Sequence, residues 1–135
     1  MKRKLKGKCT TLTTYKDGNY ELESEYYNHK INCQNKELQN LLNSSLVYMA
    51  LTDIDYENTC RPLISILFKT LYTAKNEEDL NDIESFINQN LGYNEEIDYL
   101  LNDLLDLVKN NGLDILNMKD ETKQDLVDSI DRKAK

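Results

Sequence analysis

The chain of 135 residues reads as an α+β protein, with a small N-terminal antiparallel β-hairpin or sheet followed by a four- to five-helix bundle. Three observations predict it. Tyr20, Leu22, Ser24 and Tyr26 alternate with Glu21, Glu23 and Glu25, the two-residue period of a half-buried strand. Asp17-Gly18 precedes that run and is a strong hairpin signal, because a type I′ turn needs positive φ at both central positions. From Asn35 onward, leucine and isoleucine recur at three- and four-residue spacing, the period of a helix face.

The first strand of the hairpin is Cys9–Tyr15, rich in threonine, and the second is Tyr20–Tyr27. Leu12 joins the apolar face of the second strand only if the loop carries a bulge. A lone hairpin is marginal in water, so it must lie on the helices, gain a third strand from Lys30–Cys33, or pair with another chain. The first helix is capped by Asn35 and carries Leu38, Leu41, Leu42, Leu46 and Met49. Thr52–Cys60 is polar and reads as a loop. Pro62 then fits the first turn of a second helix, whose residues Leu63 to Tyr72 are apolar almost all round. Asn76 caps a third helix with an acidic first turn, and Gly92 ends it in the left-handed conformation. Asn94 opens a fourth on Ile97, Leu100, Leu101, Leu104 and Val108, closed by Asn111-Gly112. A weaker fifth runs from Asp120 to Arg132 on Leu126, Val127 and Ile130. The division expected is a basic flexible arm, 1–8, and a single domain, 9–135.

Charge is distributed in blocks. The arm holds Lys2, Arg3, Lys4, Lys6 and Lys8 without an acid, whereas Glu77 to Asp106 holds ten carboxylates without a Lys or Arg. Formal net charge is −7. Beyond the arm, 12 bases face 24 acids. Such a surface repels nucleic acid and anionic membrane and attracts basic proteins. Sixteen Asn against three Ala point to an AT-rich coding genome, as in low-GC bacteria, their phages or large DNA viruses.

Most catalytic chemistry lacks its residues. The one histidine, His29, stands in a polar stretch with no nucleophile elbow or oxyanion loop, and reads as a turn residue. Asp53-x-Asp55-x-Glu57 opens like a calcium loop, but Asn58 replaces its glycine and Ile64 its final glutamate. His29 and Cys33 lack a second pair at zinc spacing, and none of four glycines builds a phosphate loop. No metal, cofactor or enzymatic activity is expected. The odd set Cys9, Cys33 and Cys60 cannot pair completely, and with no signal-peptide or bilayer-spanning run the expected compartment is the cytoplasm.

An ordinary helix surface intersperses Lys with Glu, since like charges at i,i+4 cost roughly 0.2–0.5 kcal/mol. The uncompensated helices therefore suggest a partner-binding acidic face made by Glu84, Tyr93, Glu95, Glu96, Asp98, Tyr99, Asp103 and Asp106. The function expected is a non-enzymatic protein-binding module, a phage- or mobile-element-encoded inhibitor that blocks a basic site on a nucleic-acid-handling protein. It would touch neither nucleic acid nor membrane directly. Arg61-Pro62-Leu63-Ile64 through Leu71-Tyr72, behind an amphipathic helix, resembles the helical core of small bacteriocin-immunity proteins; the hairpin falls outside that likeness. The resemblance implies, as the alternative, protection against a peptide toxin. A third reading is a small-ligand-binding homo-oligomer joined through its hairpins.

Overall fold

The lysine-rich start of the chain is itself a strand. The computed structural model describes residues 2–133, apart from the side chains of 113 and 130–133, and in it β1 (Lys2–Lys6) pairs antiparallel with β2 (Thr10–Tyr15). On its other side β2 pairs antiparallel with β3 (Tyr20–Ser24), giving a three-stranded sheet of order β1-β2-β3. The expected flexible arm is thus corrected, with Met1 outside the described residues, and of the three supports open to the hairpin the third strand comes from Lys2–Lys6 and not from Lys30–Cys33. Charge alone suggested an arm, but Lys side chains are also how a sheet edge is kept from pairing with another chain. Every residue of β1 is exposed.

Leu5, Leu12 and Leu22 stand opposite one another across the three strands, and Leu22 packs against the helical core. The loop makes this register. Tyr15 N–H donates to Asn19 O at 2.9 Å and Gly18 N–H to Tyr15 O at 3.0 Å, so Lys16-Asp17-Gly18 is a three-residue loop. Gly18, at φ +90°, supplies the left-handed residue of a bulge, while Asp17 keeps a negative φ. A two-residue type I′ turn is excluded, and the bulge that Leu12 required is present.

Five helices follow: α1 (Lys36–Thr52), α2 (Tyr56–Thr73), α3 (Glu77–Gln89), α4 (Glu95–Asn117) and α5 (Asp120–Lys133). Asn35, Asn76 and Asn94 cap α1, α3 and α4 through their side-chain oxygens, as their residue type predicts. Two boundaries differ from the sequence reading. α2 begins at Tyr56, inside the expected loop, because the Asp55 carboxylate accepts from Asn58 N–H; Pro62 therefore lies in the helix interior. α4 runs through Gly112, which stops nothing because it remains helical and faces α3, where a Cβ would come within 3.0 Å of Leu80 Cδ1.

α2 is the central helix and packs on α1, α4 and α5. Leu63, Leu67 and Leu71 of α2 meet Leu38, Leu42 and Met49 of α1, with Ile83, Phe86 and Ile87 of α3 and Ile97, Leu101 and Leu104 of α4 completing a core of closed side chains. Each such residue contributes roughly 1.5–3 kcal/mol on burial. Lys123 of α5 is buried and donates to Ala74 O at 3.3 Å, setting a cation on the C-terminus of α2. Burial lowers its pKa, as does Lys75 nearby. Val127 anchors α5, while the side chain of Ile130 lies outside the described residues.

Polar clamps join these parts. Asn35 Nδ2 donates to Thr73 O at 3.1 Å and to the buried Asp79 carboxylate at 2.9 Å, tying the start of α1 to the end of α2 and the start of α3. Asn43 of α1 holds both backbone groups of Ile31, at 2.8 and 3.1 Å, and Gln39 accepts from Cys33 N–H at 3.0 Å. With its hydrogen bonds met by α1 side chains, this segment needs no strand partner. Asp53, just past α1, holds the sheet: its carboxylate accepts from Lys8 N–H at 3.1 Å and Cys9 N–H at 2.8 Å, the two residues of the β1–β2 turn. Gly7 makes the approach possible, since a Cβ there would overlap the Asp53 carbonyl and carboxylate.

Asp53→Ala should cost roughly 1.5–3 kcal/mol in urea unfolding, and Gly7→Ala should loosen the same junction. Burial raises the Asp53 pKa, but the Cys9 and Lys8 N–H groups outweigh it and hold the carboxyl below its ordinary 3.8. The clasp is therefore complete above pH 3.8 and is lost as pH falls through the lower folded-state value, which near-UV dichroism of the tyrosines will follow. Gly112→Ala should go the other way. Leu80 lies beside an open cleft and can yield, so the helix gains up to about 1 kcal/mol, read as a higher Tm.

Candidate protein-binding face

The acids predicted to form one face fall into two groups. Glu95, Tyr99, Asn102, Asp103 and Asp106 recur at three- and four-residue spacing along α4, opposite the buried stripe Ile97, Leu101, Leu104 and Val108. All five of the first set are exposed, Tyr99 to 76%. Glu96 borders this face, near enough to Tyr56 of α2 that its charge, after burial and Cys60, adds to the upward shift of that phenol.

The remaining predicted residues have other work. Glu84 stands on α3 and pairs with Lys109 of α4 at 3.9 Å, so the base missing from the sequence block arrives just beyond it. Asp98 accepts from Gly92 N–H at 3.0 and 3.2 Å, closing the turn between α3 and α4 in which Gly92 adopts φ +96°. Tyr93 stacks on Tyr26 with ring centres 4.5 Å apart and meets the edge of Tyr27 at 6.2 Å. Glu95 and Glu96 lie in the first turn of α4, where negative charge is favoured by the helix dipole. Asp103 and Asp106 sit mid-helix without that benefit, and among the described residues neither makes an ion pair.

Residues discounted in the sequence carry structure instead. Asp53 and Asp55, the apparent start of a calcium loop, are the sheet clasp and the α2 cap. His29 is half-buried rather than a surface turn, and its Nε2 is sealed from solvent without a hydrogen-bond partner. Cys9, Cys33 and Cys60 are free thiols. Burial, then Asp82, pushes Cys33 up to about 11, and burial also raises Cys9, so neither is a ready thiolate. Among the described residues no three His, Cys, Asp or Glu side chains group as metal ligands, and no helix is long and apolar enough to cross a membrane. The sequence reading places Tyr26 and Tyr27 in the second strand, whereas β3 ends at Ser24 and both rings meet Tyr93.

No family model, curated protein or solved structure matches this chain.

Asp98→Asn should lower Tm by opening the α3–α4 turn, costing about 1–2 kcal/mol. Asp103→Asn and Asp106→Asn should each stay within roughly 0.5 kcal/mol of the parent. Thermal unfolding of the three variants separates the acids that hold the fold from those that do not.

Proposed function

We propose that the chain is a non-enzymatic protein-binding module whose α4 face docks on a basic protein surface, in the manner of an inhibitor that occupies a nucleic-acid-binding groove. The observation that carries this reading is Tyr99, 76% exposed, flanked by Asp103 and Asp106, which no base on the same chain neutralises among the described residues. Exposed Tyr gives large rigid contact area with a polar tip, and acids spaced along a rigid helix can follow the charge of a nucleic-acid backbone. Asp103 and Asp106 repel each other at i,i+3, a small cost that binding to cations would reverse.

Capture of partners on immobilised protein, at ~50 and ~300 mM salt, tests it; between these the Debye length falls from about 14 to about 6 Å. A basic nucleic-acid-handling protein should be held at low salt, released at high salt, and lost on Tyr99→Ala and on the double reversal Asp103→Lys, Asp106→Lys. Asp98 is left unchanged because it holds the fold. Capture that ignores salt and survives these substitutions refutes the α4 face as the binding surface.

A further inference from the structure

Beside the first turn of α4 a cleft of about 650 Å³ opens against the β1–β2 turn and the end of α1, within the roughly 300–1,000 Å³ of small-ligand sites. Four carboxylates line it, Glu25, Asp53, Glu95 and Glu96, drawn from three separate parts of the chain. Its aromatic wall is Tyr26, Tyr27 and Tyr93. The Tyr26 and Tyr93 rings lie within 10° of parallel and are 37% and 47% exposed. The single base on the lining, Lys8, is exposed and makes no ion pair among the described residues.

Tyr27 distinguishes this cleft from a chance cluster of acids. It is only 6% exposed, and its hydroxyl has no hydrogen-bond partner. Tyr27 lines the cleft with its ring edge-on to Tyr93 at 6.2 Å, and burial, then the charges of Cys9, Asp98 and Asp53, raises its pKa. A buried hydroxyl without a partner costs about 1–3 kcal/mol, and a donor entering the cleft would relieve it.

We propose that this cleft receives the guanidinium of an arginine side chain presented by a protein partner. A planar cation stacks on tyrosine faces, and its fork of N–H donors serves separated carboxylates and a phenol oxygen at once, which a compact ammonium does not. The assignment rests on the protein-binding reading for the owner of the arginine, but its chemistry can be tested without any partner.

The test is an NMR titration of the full chain, with labelled tyrosine rings, by the blocked tripeptide Gly-Arg-Gly. Saturable shifts should appear at Tyr26, Tyr27 and Tyr93 with a dissociation constant of about a millimolar, while Tyr99 stays still. Tyr27→Phe and Glu25→Gln should each weaken binding about three- to tenfold, the second on an exposed residue that folding does not need. The neutral isostere Gly-citrulline-Gly should not bind. Absence of saturable shifts, equal shifts with citrulline or with Gly-Lys-Gly, or shifts centred on Tyr99 would each overturn the assignment. A negative titration leaves salt-dependent capture by α4 to stand or fall separately.

Discussion

The relation between sheet and bundle rests on one carboxylate. Asp53 ends α1 and at the same point receives the two successive N–H groups of the β1–β2 turn. These donors have no partner within the sheet, because they sit at the tip of a turn. A three-stranded sheet of this size, with one outer strand wholly exposed, buries too little to stand alone. Its apolar stripe of Leu12 and Leu22 gives direction, but direction without a fixed point leaves the sheet free to slide on α1. The clasp supplies that point, and the missing side chain of Gly7 lets the backbone come near enough to form it.

Charge follows a division of labour. On the solvent face of the sheet, Lys4 and Lys6 of β1 stand in register with Thr13 and Thr11 of β2, and these with Glu21 and Glu23 of β3. The basic and acidic rows are two strand spacings apart, about 9–10 Å, close enough to attract across the threonines. Among the described residues these rows make no ion pair, so the basic and acidic edges of the sheet face each other only across the threonines. In the helices, acids in first turns meet a favourable dipole, Asp79 and Asp98 accept backbone N–H groups, and Glu84 meets Lys109. Once these uses are assigned, the middle of α4 keeps charges with no internal use.

Much of this fold was legible because it follows from local rules. Three asparagine caps, the helical periods and the left-handed Gly92 are properties of a few adjacent residues. What could not be read depends on contacts distant in sequence. β1 looked like an arm because its five exposed residues carry no alternation, and only pairing with β2 makes them a strand. Gly112 looked like a stop, whereas its meaning lies in Leu80 of another helix. The acidic face was half legible for the same reason. Spacing puts Glu95, Asp98, Tyr99, Asp103 and Asp106 on one helix, but nothing local shows that Asp98 turns back to Gly92 or that Tyr93, just before α4, stacks on Tyr26.

The first turn of α4 belongs to two surfaces at once. Glu95 lines the cleft and also begins the exposed stripe that runs to Asp106. Eleven residues of helix separate these two, about 16 Å at 1.5 Å per residue. On the proposed reading, a partner would seat one arginine against Tyr26 and Tyr93 and lay further cations along α4. The two contacts differ in kind. The cleft adds a desolvated hydroxyl and aromatic faces to its carboxylates, so part of its worth depends on shape and survives salt, whereas the stripe is open to water and weakens as the Debye length shrinks. Specificity would then reside in the cleft and the speed of association in the stripe, because solvent-exposed charge steers an encounter more than it holds a complex.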